Sequence, residues 1–121
     1  QKIANTMKCN HVLLKETENG QLVYIKNEDH YQLSYKNLNF SLSHLELDTL
    51  YNYLICIDAE YWEEEYKNSI YKRKIPIPTT QKNFIILLDQ FELIELQYLL
   101  SIVIKADTGR KIVINLPFFW N

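Results

Sequence analysis

Lys36-Asn37-Leu38-Asn39-Phe40-Ser41-Leu42-Ser43-His44-Leu45-Glu46-Leu47 is matched, 46 residues later, by Lys82-Asn83-Phe84-Ile85-Ile86-Leu87-Leu88-Asp89-Gln90-Phe91-Glu92-Leu93. The match runs on through Leu50 with Leu96 and Leu54 with Leu100, and seven of the nineteen positions from 36 to 54 are identical. Leu38, Phe40 and Leu42 alternate with Asn39 and Ser41, the period of a half-buried strand. Phe84, Ile86 and Leu88 repeat that phase. Ser43 and Asp89 then stand where a helix N-cap belongs, with Glu46 and Glu92 three residues on, which completes a capping box in each copy. Leu42 with Leu47, and Leu88 with Leu93, are spaced as hydrophobic staples. Each copy therefore reads as a strand, a tight corner and a helix.

Working outward, Gln21 to Lys26 and Tyr31 to Tyr35 read as strands around an Asn27-Glu28-Asp29 turn. Val12 to Lys15 reads as a further short strand, with a turn at Asn19-Gly20. Lys36-Asn37 either turns a hairpin or bends one strand. Ahead of the second copy, Ser69 to Ile77 alternates as a strand, and Pro76 and Pro78 mark it as an edge or a strand end. Lys111 to Asn115 closes the chain's strands. The first helix is expected from about His44 to Ile57, burying Leu47, Leu50, Tyr51, Leu54 and Ile57. The second is expected from Gln90 to about Ile104. The fold class that follows is α+β: a two-layer domain, an antiparallel sheet with two helices on one face, built from an internal β-hairpin–helix repeat. The whole of 1–121 is one domain, with repeat one at about 21–57, repeat two at about 69–104, and a final strand and aromatic tail over 105–121.

The copies differ in polarity. Asp48, Thr49 and Asn52 of the first helix become Ile94, Glu95 and Tyr98 in the second, which also carries Phe91, Ile102 and Ile104. Ile85 and Leu87 replace Asn39 and Ser41. An apolar surface that wraps most of a helix needs cover on two sides. Either the tail Ile112-Val113-Ile114-Asn115-Leu116-Pro117-Phe118-Phe119-Trp120 covers it, or it meets a partner. The expected interaction surface is Phe91, Ile94, Tyr98, Ile102, Phe118, Phe119 and Trp120, facing a protein partner or a second copy.

Composition excludes several functions. Only two glycines, Gly20 and Gly109, occur in 121 residues, so no glycine-rich phosphate loop or nucleophile elbow can be built. Two cysteines make no disulfide scaffold. A net charge of −2 gives no whole-molecule attraction to nucleic acid or anionic membrane. The first twenty residues hold no run like the roughly 7–15 apolar residues of a secretory signal, and no stretch is long enough to span a membrane, so the expected location is cytoplasmic. Met7 is the only methionine; residues 1–6 read as either native or a tag.

Cys9, His11, His30, His44 and Cys56 lack the paired spacings of a structural zinc site. No metal and no cofactor are expected. Tyr66, Tyr71, Lys72, Arg73 and Lys74 interleave charge with aromatics as single-strand binders do; the plainer reading is a solvated strand protected by lysines. Asp58, Glu60, Glu63, Glu64 and Glu65 around Tyr61 and Trp62 read as a solvated connection rather than a desolvated acid–base pair. No nucleophilic triad is present, and no concentrated polar constellation is expected.

Glu18-Asn19-Gly20, Tyr31-Gln32-Leu33-Ser34-Tyr35-Lys36-Asn37-Leu38, and Trp62-Glu63-Glu64 followed by Ile75-Pro76-Ile77-Pro78 resemble a family of small uncharacterised Bacteroidetes proteins, over about residues 7 to 104. Some members carry a C-x-x-C knuckle where this chain has Ile25-Lys26-Asn27-Glu28-Asp29-His30. The resemblance implies no activity. The preferred expectation is a small cytoplasmic, non-enzymatic protein-interaction or regulatory domain. The alternatives are RNA or single-strand binding through 66–74, and a small molecule held between sheet and helices.

Overall fold

The computed structural model describes residues 10–107 and 110–115, with side chains as far as Ile102. Its elements run β1 (His11–Glu16), β2 (Gly20–Ile25), β3 (His30–Tyr35), β4 (Leu38–Leu42), α1 (His44–Ile55), α2 (Ala59–Glu65), β5 (Ile75–Pro78), β6 (Ile85–Leu88), α3 (Gln90–Leu99), β7 (Ile102–Asp107) and β8 (Arg110–Asn115). Both corners are built alike. Ser43 accepts the Glu46 N–H and Glu46 accepts the Ser43 N–H at the start of α1. Asp89 and Glu92 make the same reciprocal pair at α3. Each box satisfies two helical donors that would otherwise lack partners.

The first four strands form an antiparallel sheet in the order β1-β2-β3-β4. Tyr35 pairs with Leu38, so Lys36-Asn37 turns a hairpin, with Lys36 at φ 53°. In place of one sheet there are three: β5-β6 and β7-β8 are separate two-stranded ribbons among the described residues. Pro76 and Pro78 leave β5 short of donors for a second neighbour.

Three other expectations change. The second helix stops at Leu99 rather than Ile104, because Ser101 caps the Tyr98 carbonyl through its hydroxyl at 2.6 Å. The β-branched run from Ile102 then takes up a strand instead. The first helix stops at Ile55, two residues short of Ile57. The strand expected over 69–77 is only Ile75–Pro78. The acidic run forms α2, N-capped by Asp58, with Trp62 packed against the core.

Leu22, Tyr31, Leu33, Tyr35, Leu47, Leu54, Ile75, Leu99 and Leu100 are the centre of the core. Helix α1 lies against β3 and β4, and α3 lies against β1, β2 and β6. Gly20 is packed between β3 and Leu99 of α3. A Cβ there would stand 2.4 Å from the Ser34 carbonyl oxygen and 2.9 Å from Tyr35 Cδ1. In β1 the register slips between Leu13 and Lys15. The extra residue breaks the alternation and turns Lys15 inward, where it is buried.

Candidate functional site

The segment between α2 and β5 folds over one face of the β5-β6 ribbon. Trp62 anchors it, with Tyr66 stacked on the indole at 5.6 Å and 6°. Ser69 Oγ accepts the Tyr71 N–H at 3.0 Å. Lys74 Nζ donates to the Ser69 carbonyl at 3.1 Å and to the Tyr71 carbonyl. Those bonds close the segment into a loop, which is why it does not extend as a strand. Across the ribbon Pro76 pairs with Leu87 and Pro78 with Ile85, so Pro76, Ile85 and Leu87 share a face. Ile75, Ile77 and Leu88 point the other way, into the core. Loop and outer face enclose an open groove of about 500 Å³ with Tyr66, Tyr71, Arg73 and Lys74 on its walls and Pro76, Ile85 and Leu87 among its apolar lining. Tyr71 and Ile85 are exposed.

Charge in this groove is largely spent internally. Arg73 donates through Nε at 2.7 Å and Nη2 at 2.9 Å to the two oxygens of Glu92. Lys36, from the β3–β4 turn, donates to the same carboxylate, and Asp89 adds its backbone N–H at 2.9 Å. Burial pushes the Glu92 carboxyl up, but the bonds from Arg73, Lys36 and Asp89 outweigh it and hold it at about 2. A second cavity, of about 260 Å³, lies along β6 against the β3–β4 turn and includes Lys36, Leu38, Arg73, Ile86 and Glu92 in its walls. A third, of about 300 Å³, is lined almost wholly by apolar side chains such as Leu38, Phe40, Leu50, Ile86 and Leu96, between sheet and helices.

Contrary to expectation, α3 carries a concentrated polar constellation. Glu95 is buried and accepts from Tyr35 Oη at 2.7 Å, from Asn19 Nδ2 at 3.0 Å and from the Asn19 N–H at 3.3 Å. Burial raises its carboxyl and the bonds from Thr17, Tyr35 and Asn19 more than reverse that, so it stays ionised. The Tyr35 hydroxyl is raised in turn, first by burial and then by Glu95. Lys15 Nζ donates to Ser101 Oγ at 2.9 Å and sits 4.2 Å above the Tyr98 ring; burial lowers its ammonium. Ser101 gives its own proton to the Tyr98 carbonyl and is wholly buried, so this pair braces the end of α3 and presents no nucleophile. At the other end of the sheet His44 bridges Asp29 Oδ1 at 2.8 Å and the Tyr31 hydroxyl at 3.0 Å. Tyr24 donates to Asp29 at 2.6 Å, and that bond, with burial, pushes its phenol up to about 12. Among the described residues no group of three His, Cys, Asp or Glu is placed to hold a metal ion.

The sequence-derived surfaces are redistributed. Of the helix residues expected at an interface, Phe91 is 83% exposed, while Ile102 is 6% exposed and belongs to β7 and the core. Ile94 and Tyr98 are half-buried. Phe118, Phe119 and Trp120 lie outside the described residues. Tyr66, Tyr71, Arg73 and Lys74 do converge on one groove, and exposed Lys72 lies outside its lining. Glu92, Glu95 and Lys36 were missed. The two glutamates had a signal in spacing, since they stand on the same helical face as Leu96 and Leu99; Lys36, in a turn, had none.

The model of a family of unknown function, DUF6686, matches residues 7–121. No curated protein and no solved structure matches the chain.

Proposed function

Since the chain belongs to DUF6686, a family of unknown function, no activity comes to it by kinship, and we propose that it is a non-enzymatic protein-interaction domain whose docking face is the groove on the β5-β6 ribbon. The observation that carries this reading is an open groove with an apolar floor and aromatic flanks. Pro76, Ile85 and Leu87 give it apolar surface, and Tyr66 and Tyr71 give it the aromatic flanks favoured at interface centres. Arg73 is held by Glu92 and Lys74 by two carbonyls. A single-strand binder needs a track of cations for successive phosphates; Lys72 lies outside this groove and Arg73 and Lys74 each already hold a bond, which weighs against the nucleic-acid reading of 66–74. The reading includes the two strand–helix corners as halves of a repeat packed as two layers, a cytoplasmic setting and a Bacteroidetes source. The matched capping boxes support the repeat, and the abundance of Asn, Lys and Ile supports the bacterial source.

The test is co-purification with the tagged full chain from its native cells, beside an Ile85→Asp variant whose circular dichroism matches the wild type. Proteins retained by the wild type and lost from the variant are expected. Identical sets of proteins on both would remove the groove from the function.

A further inference from the structure

The prolines of β5 decide which way the backbone of β6 points. Pro76 and Pro78 have no N–H to give, so the residues that exchange hydrogen bonds across the ribbon are Ile75 with Leu88 and Ile77 with Ile86. The Pro76 carbonyl faces away from β6 and accepts from Tyr53 Oη of α1 at 3.3 Å, which agrees with that phase. The N–H and C=O groups of Ile85 and Leu87 are therefore directed to the opposite edge of β6. Among the described residues no strand pairs there. This edge borders the 260 Å³ cavity, and Leu87 and Arg73 belong to that cavity and to the groove alike.

The same edge has a residual positive charge, the cations Lys36, Arg73 and Lys74 standing against the carboxylates of Glu92 and Asp89. Lys36 and Arg73 share the one carboxylate of Glu92. Arg73 is 46% exposed at its side chain and Lys36 is 38% exposed. Arg73 uses Nε and Nη2 on Glu92; among the described residues its Nη1 has no partner. Lys74 adds a further cation on the groove side. Two copies of this chain meeting edge to edge would bring like charges together, the means by which natural edges resist self-pairing. A segment carrying carboxylates meets complementary charge instead.

We infer that the occupant of the docking face is an extended, acidic segment of a partner protein, added as a strand to the free edge of β6, with its backbone bonded to Ile85 and Leu87, an apolar side chain in the groove and a carboxylate on Arg73 and Lys36. This rests on the interaction reading above and names the partner's chemistry.

The test is selection of a random heptapeptide display library on the full chain, followed by titration of the enriched peptides. Alternating apolar residues with Asp or Glu are expected. N-methylation at alternate amides should abolish binding in one parity and leave it in the other. Arg73→Gln should weaken binding at least tenfold. Because that change also loosens Glu92, the enriched peptides with each Asp or Glu replaced by Asn or Gln are titrated on the wild-type chain beside it and should weaken in the same direction. Peptides that lack acids, or tolerate N-methylation in both parities, overturn the strand partner; if Ile85→Asp still abolishes their binding, the groove survives as a docking face. A library with no binder, or with binders indifferent to Ile85→Asp, removes the groove and the inference together. A concentration-dependent dimer in sedimentation that Ile85→Asp dissolves gives the edge to a second copy and also overturns it.

Discussion

Glu46 and Glu92 hold the same place in the same motif and carry different loads. Each closes a capping box on the N-terminal side of a helix. Glu46 is exposed and bonds its own cap residue. Glu92 is 5% exposed and, besides its cap, joins the β3–β4 turn through Lys36 and the loop before β5 through Arg73. One helical turn on, exposed Thr49 stands where Glu95 is buried against Tyr35 and Asn19. The lesson is that a local motif specifies a corner, while partners far along the chain decide whether its carboxylate is surface decoration or a core tie.

The comparison is broken most sharply by truncating each acid. Glu92→Ala leaves two cations without their shared carboxylate and is expected to cost about 3 kcal/mol in urea unfolding. Glu46→Ala should cost under about 1 kcal/mol, the scale of a capping contact. Equal losses would erase the distinction. Next in size, Glu95→Ala strands the buried Tyr35 hydroxyl and should cost about 2 kcal/mol, against a few tenths for Thr49→Ala at the surface.

Acid sharpens the contrast. The Glu92 carboxyl is held at about 2, down from 4.5. A depressed folded pKa contributes stability that is fully present above pH 4.5 and lost as pH falls through 2. The stability gap between wild type and Glu92→Gln should therefore narrow over that window. The smallest difference between the corners is at the caps: Ser43→Ala and Asp89→Ala should each cost about 1 kcal/mol by thermal melting, since the caps themselves are alike.

Much of the fold is legible locally. The boxes at Ser43 and Asp89 and the strands Leu38–Leu42 and Ile85–Leu88 follow from alternation and cap chemistry within a few residues, while Lys36-Asn37 stays open between a hairpin and a bend until Tyr35 pairs with Leu38. What was not legible depends on contacts between distant segments. Glu95 looks like a surface acid until Asn19 and Tyr35 surround it. Lys15 looks solvated until a bulge turns it toward Ser101. The loop over the ribbon looks like a strand until Lys74 draws it closed on two carbonyls. Of the candidate site, the aromatic and basic side chains at 66, 71, 73 and 74 were visible, but not that Glu92 answers the charge of Arg73. The sequence shows an apolar excess on the second helix and on the strand at Ile85 and Leu87; Ile102 is interior in β7, while Ile85 and Leu87 line the exposed groove.

The long reach of α3 sets an order of events during synthesis. Its ties run back from Glu92 to Lys36, from Glu95 to Asn19 and from Ser101 to Lys15. The β1–β4 meander pairs only neighbours and leaves the ribosome first. Until residues 90–101 emerge, that sheet waits with Lys15 and Asn19 in water, so α3 works as the latch that closes over it.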